Sequence, residues 1–164
     1  MVMRALRGLG LLCSLFMLDN GEAAQSRAPG SLLSGAATTI QQKEPRMWMT
    51  VGDRSFAIVL ADNETARTFS ALSPLSLDMA ELNGNEKYAD LPKALPTNAG
   101  RPGAIRSGDL MLYGNRTLVV FYLTFDSSYS YTPIGRVVDP SGLAQALGTD
   151  GVRITFSAVE PGFP

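Results

Sequence analysis

The sequence predicts a mainly β protein, a closed barrel of about eight strands with two short capping helices. Three observations predict it. Short apolar runs of strand length recur between Arg46 and Phe156, separated by turn pairs such as Gly52-Asp53 and Gly114-Asn115. Glycine and proline number 16 and 10 in 164 residues, as a fold with many tight turns requires. Helix-start signals stand at two places, Asp62-Asn63 and Asp139-Pro140. A sheet of this size joined mostly by hairpins closes on itself, because closure removes unpaired edges.

The first element expected in the domain is the strand Met47 to Val51, joined through Gly52-Asp53 to Ser55–Leu60. Glycine accepts the positive φ that a two-residue hairpin turn demands. Asp62 or Asn63 then caps a helix that carries Glu64 in its first turn, places Ala66, Phe69 and Leu72 on one face, and stops at Pro74. Leu75 to Ala80 alternates apolar with small or polar residues, the pattern of a half-buried strand. Leu82 to Arg106 contains Asn83-Gly84-Asn85, Leu91-Pro92, Leu95-Pro96 and Arg101-Pro102-Gly103, and reads as one long irregular excursion. Long loops inside compact domains are often functional.

Asp109–Tyr113 and Thr117–Leu123 form a second hairpin around Gly114-Asn115. Its second arm is apolar at nearly every position, like a strand covered on both faces. Ser127 to Tyr131 is a short polar-aromatic loop, and Ile134–Val138 a strand. A helix with Asp139 as cap and Pro140 in first position follows, ending at Gly148, and Val152–Phe156 closes the domain.

Residues 1–23 read as a signal peptide: Arg4 and Arg7, an apolar run from Gly8 to Leu18, then small residues at Gly21 and Ala23. The run is too short to span a bilayer as a helix, so no membrane span is expected after cleavage. Leu12 before Cys13 does not suit lipoprotein processing, which favours ordinary cleavage. Residues 24–45, rich in Ser, Ala, Gly, Thr and Gln, read as a flexible linker, and 46–160 as the folded domain. A bacterial protein, periplasmic or secreted and monomeric, is expected.

Composition limits the chemistry. The sequence has no histidine, which excludes Ser-His and Cys-His pairs and any His-ligated metal. Its one cysteine, Cys13, falls in the leader, so the mature domain has neither a disulfide nor a thiol nucleophile. Neither a cofactor nor a metal is expected. A net charge of −1 without a basic stripe makes nucleic acid an unsuitable partner. The expected partner is a small molecule or a peptide segment.

The candidate ligand-binding residues are Glu86 and Tyr88 in the excursion, Arg101 and Arg106 near its end, and Tyr113, Tyr122, Tyr129 and Tyr131. Tyrosine offers rigid apolar area with a hydrogen-bonding tip, which suits a binding surface as well as a core plug. Tyr129 and Tyr131, on a loop, suit ligand contact better than Tyr113 and Tyr122 on strands. Glu86 could anchor a ligand or pair with Lys87 on a solvated loop. Arg101 or Arg106 could serve an anionic ligand or a twisted amide, or merely tie the loop.

Several strings together resemble a known family. They are Asn83-Gly84-Asn85-Glu86-Lys87-Tyr88, Gly108-Asp109-Leu110-Met111-Leu112-Tyr113-Gly114-Asn115, Phe121-Tyr122, Tyr129-Ser130-Tyr131, and Ile134-Gly135-Arg136-Val137-Val138 with Pro140-Ser141-Gly142-Leu143. Over residues 46–157 they resemble the bacterial cyclophilin-like domain family, which implies a closed eight-stranded barrel with two capping helices. In true cyclophilins, prolyl isomerases, an arginine in a Phe-His-Arg setting stabilises the twisted amide against a ground-state barrier of about 18–20 kcal/mol. Neither Phe-His-Arg nor the family's Phe-x-x-Gln occurs here, so no catalytic residue carries over. A shared barrel does not carry activity with it. The expected function is therefore a non-catalytic binding domain. The alternatives are a divergent prolyl isomerase using Arg101 or Arg106, which needs no histidine, and a structural or interaction module.

Overall fold

The computed structural model describes residues 46–162. The expected signal peptide and linker lie outside the described residues. Ten strands and two helices are present among the described residues: β1 Arg46–Val51, β2 Arg54–Leu60, α1 Glu64–Ser70, β3 Leu75–Leu82, β4 Glu86–Asp90, β5 Gly103–Ile105, β6 Asp109–Tyr113, β7 Thr117–Phe121, β8 Phe125–Ser127, β9 Tyr131–Val137, α2 Leu143–Leu147 and β10 Val152–Ser157. Eight of them close into an antiparallel barrel in the order β1-β10-β3-β4-β7-β6-β9-β2, while β5 and β8 pair separately as a two-stranded ribbon. The predicted closed eight-stranded barrel with two helices is the observed architecture.

Alternation along each strand sorts side chains to the two faces of the wall. Met47, Met49 and Val51 of β1, Ile58 of β2, Leu118 and Val120 of β7, and Ile154 and Phe156 of β10 fill the interior. The opposite face of β7 presents Val119 and Phe121, which join Ile105, Met111 and Tyr131 in a second apolar cluster outside the barrel, with Phe125 packed against it. The β5–β8 ribbon supplies Ile105 and Phe125, so it covers part of the outer wall. This is why Thr117–Phe121 is apolar at successive positions.

α1 starts as its sequence prescribes. Asn63 Oδ1 accepts from Ala66 N at 2.8 Å, and Asn63 Nδ2 donates to Pro133 O at 2.9 Å, tying the cap to β9. The helix buries Ala66 and Phe69, whose ring meets Phe156 edge-on at 5.4 Å. Burying a ring of that size contributes about 1.5–3 kcal/mol. α2 departs from expectation. It begins at Leu143, with Gly142 as N-cap at φ +73, and the Asp139 carboxylate instead accepts from Ser141 N in the turn before it.

About half of the expected excursion from Leu82 to Arg106 is irregular, and the rest is hairpin and strand. Asn83 and Gly84, at φ +57 and +71, turn β3 back into β4, which pairs with both β3 and β7 and is the eighth barrel strand. Residues 91–102 are the irregular remainder. Leu91 and Leu95 are buried in the interior cluster, and Thr65 Oγ1 donates to Pro96 O at 2.7 Å. The segment therefore closes the α1 end of the barrel.

Candidate functional site

A cavity of about 380 Å³ lies on the outer wall beside the β5–β8 ribbon. Its position follows from strand alternation. Glu86 and Tyr88 point outward from β4, where they pair in register with Phe121 and Val119 of β7. Tyr113, at the end of β6, pairs with Tyr131 at the start of β9. Tyr129 comes from the connection between β8 and β9. The β3–β4 hairpin supplies Asn83 and Asn85 at another edge, and Asp126 comes from β8. A volume of this size suits a small ligand.

Five of the eight candidate residues meet in this groove: Glu86, Tyr88, Tyr113, Tyr129 and Tyr131. The aromatic part is a cluster of steeply inclined rings. Tyr113 lies 6.2 Å from Tyr129 at 86° and 5.7 Å from Tyr131 at 55°, and Tyr131 meets Phe121 edge-on at 5.5 Å. Such pairs contribute about 0.5–1.5 kcal/mol beyond their burial, so the rings are held before any ligand arrives. Tyr131 is fixed further by reciprocal backbone hydrogen bonds with Gly100, at 2.9 and 3.0 Å. Burial, then the negative charge of Glu86, raises its phenol above the usual range. Tyr129 remains 63% exposed, a ring available to a ligand.

Glu86 is 8% exposed and has no ion-pair or side-chain hydrogen-bond partner among the described residues. Burial, followed by the charge of Glu81, holds its carboxyl above the usual carboxylate range. The suggested Glu86–Lys87 pair is not formed, because successive strand residues face opposite ways. Lys87 points into the barrel and is fully buried. Its ammonium donates to Glu81 Oε2, to Gly148 O at 2.9 Å and to Asp150 O at 2.7 Å, using all three of its protons. Gly148 is the C-cap of α2, where a cation meets the helix's unpaired carbonyls.

The other three candidates lie elsewhere. Tyr122 is buried in the interior cluster, its hydroxyl donating to Glu81 Oε2 at 2.8 Å. Burial, that hydrogen bond, and the charges of Glu81 and Glu86 push its phenol up to about 12. Arg101 is exposed and does not line the groove. Arg106 is exposed as well, its backbone N–H held by Asp109 Oδ2 at 2.8 Å in the turn before β6. Sequence reasoning missed Glu81 as Lys87's partner and Asp126 as a second groove carboxylate. Recognising Asn83-Gly84 as a hairpin turn would have paired Glu81 with Lys87 across it. No group of three or more His, Cys, Asp or Glu residues able to hold a metal occurs among the described residues.

A closed antiparallel barrel with a helix at each end and a groove on its outer wall has the cyclophilin-like architecture. The sequence matches the cyclophilin-like family over residues 49–157, and the chain belongs to that family. Among solved structures, it is similar to the solution structure of a hypothetical protein from Archaeoglobus fulgidus. The two share 15% identity with a TM-score of 0.54, over 71% of this chain and 95% of that one. Likeness at that level concerns the fold alone. No curated protein matches the sequence.

Proposed function

We propose that this cyclophilin-like domain is the non-catalytic binding part of an exported, monomeric protein, and that the groove on its outer wall takes a small molecule or a peptide segment. The observation that carries this reading is the convergence of Glu86, Tyr88, Tyr113, Tyr129 and Tyr131 on one cavity of about 380 Å³. Apolar rings supply contact area, while their hydroxyls and the carboxylate orient what binds. Export, with a periplasmic or secreted destination, rests on the signal-like character of residues 1–23.

Isomerase chemistry needs a donor or cation poised at the nitrogen of a twisting amide. Neither Arg101 nor Arg106 lines the groove, and no lysine or arginine among the described residues does. The test follows prolyl cis/trans isomerisation of short Xaa-Pro peptides by the purified full chain, with Arg101→Ala and Arg106→Ala as controls. Amide NMR shifts are recorded alongside for a panel of small aromatic fragments. We expect no acceleration, and saturable shifts confined to groove residues. Acceleration abolished in either arginine variant would replace this reading with the isomerase. Export is checked by the N-terminus of the protein recovered outside the cytoplasm, expected at Ala24.

A further inference from the structure

The charged residues that line the groove are all of one sign. Glu86 and Asp126 line it, and none of its lining residues is a lysine or arginine. The basic residue adjacent to Glu86 in sequence, Lys87, lies behind the wall with all its protons engaged. Glu86 is thus a largely buried residue whose carboxylate opens on the groove with no countercharge among the described residues, and its partial desolvation costs free energy until one arrives.

The aromatic residues have the same preference. Tyr88, Tyr113, Tyr129 and Tyr131 all line the cavity, and ring faces carry the negative end of the aromatic quadrupole. The steep angles among Tyr113, Tyr129 and Tyr131 form a corner rather than a flat stack, so a compact group can meet more than one ring. Asn85, also on the lining, has a buried side-chain oxygen with no donor.

We infer that the ligand is a small organic cation, an alkylammonium joined to an apolar body, with the ammonium at Glu86 and the body against the tyrosines. This rests on reading the groove as the ligand site. An anion would meet two carboxylates and no cation. A neutral apolar molecule would leave Glu86 desolvated and unpaired. The cation restores a countercharge to Glu86 and places positive charge near the tyrosine rings. The cavity volume fits a small molecule rather than a protein surface.

The experiment titrates the ¹⁵N-labelled full chain with three matched probes: phenethylammonium, neutral 2-phenylethanol and anionic 3-phenylpropionate. Phenethylammonium should give saturable shifts at the amides of Glu86, Tyr88, Tyr113 and Tyr129, and bind at least about tenfold more tightly than the alcohol, as a charge-assisted hydrogen bond predicts. Glu86→Gln should bring its affinity to that of the alcohol, whose own binding stays the same. Tyr129→Ala, at an exposed ring, should weaken the cation by roughly threefold without disturbing the spectrum elsewhere. Should Glu86→Gln lose spectral dispersion, Glu86→Asp replaces it and should retain the preference for the cation.

Equal or tighter binding of the alcohol or the anion at the same amides would overturn the cation assignment and leave the groove standing. Cation affinity unchanged in Glu86→Gln, or the same for the cation and alcohol in Glu86→Asp, would also overturn it. Saturable shifts confined to residues outside the groove would overturn the groove reading itself. The absence of saturable shifts with any probe would overturn both.

Discussion

Lys87→Met removes the charge that the barrel has enclosed and keeps most of the aliphatic stem, so the cost reports the ion pair rather than a cavity. Lys87 is fully buried, and its partner Glu81 keeps a side chain 22% exposed. Breaking a buried pair from one side costs about 3–5 kcal/mol, because a charge is left without a partner. Partial hydration of Glu81 places the expected loss at the lower end, about 3 kcal/mol. The carbonyls of Gly148 and Asp150 lose the same donor, so the figure of about 3 kcal/mol is a lower bound. Urea unfolding monitored by circular dichroism should show a lower midpoint with an unchanged slope. Lys87→Met combined with Glu81→Met should recover at least half the loss, because the orphan charge is then gone.

The pH dependence has a definite sign. Burial raises the Glu81 pKa, but hydrogen bonds from Lys87, Tyr122 and the Gly84 N–H outweigh it, and the folded value lies below the ordinary 4.5. The stabilisation is therefore fully present above about 4.5 and is lost as pH falls through the folded value. Wild type and Lys87→Met should differ most near neutrality and converge in acid. A single variant within about 1 kcal/mol of wild type at neutral pH would refute the reasoning.

Glu86 has the opposite sign. Its folded pKa is raised, so its contribution is most favourable below the ordinary value and is lost as pH rises through the folded one. Glu86→Gln should therefore be more stable than wild type at neutral pH, by thermal unfolding, while binding the ammonium probe less well; equal melting temperatures at pH 7 would contradict this. Tyr122→Phe removes the 2.8 Å hydrogen bond to Glu81 and should cost about 1.5 kcal/mol in urea unfolding. Its effect should not add to that of Lys87→Met, since both groups bond the same Glu81 oxygen. Gly135→Ala would put a Cβ 2.6 Å from Val59 O and 3.0 Å from Ile58 Cγ2, so β2 and β9 must separate, at a cost of about 1–3 kcal/mol in melting stability.

The hairpin arms were legible because their pattern is local. Asp109–Tyr113 has the bounds expected for it, and the Asn63 cap, the Ala66–Phe69 face and the Gly52 and Gly114 turns occur as read. β4 was not legible, although Asn83-Gly84 announces a hairpin. Its five residues, Glu86-Lys87-Tyr88-Ala89-Asp90, include three charges, and strand reasoning expects charges on a solvated face. The fold buries two of them: Lys87 finds Glu81 across the hairpin and two carbonyls distant in sequence, whereas Glu86 is buried with no ion-pair partner among the described residues. The start of α2 was misread because Asp139-Pro140 is a good helix opening, whereas the chain uses the aspartate to hold a turn and begins its helix after Gly142. The groove was legible as a residue list but not as a place. Periodicity could not show that the β5–β8 ribbon would cover one part of the wall and leave Tyr88, Tyr113 and Tyr129 beside it.

That ribbon also accounts for how a barrel with a filled interior carries a groove. The interior is occupied by Met47, Ile58, Leu118 and Phe156 and their neighbours, so the proposed ligand would use the outside. An exposed outer wall would ordinarily be polar, yet β7 places Val119 and Phe121 there and the ribbon packs against that face with Ile105 and Phe125. The groove borders this second apolar cluster, to which Tyr131 itself belongs, and Tyr113 gains rigidity by packing against that ring. The core and the groove thus draw on opposite faces of the same strands. β4 shows the division most clearly: inward Lys87 closes the barrel end through Glu81, while outward Glu86 has no ion-pair partner among the described residues. Substitutions at Tyr88 or Tyr129 should then weaken ligands at little cost to stability, and substitutions at Phe121, which supports the cluster, should lower both.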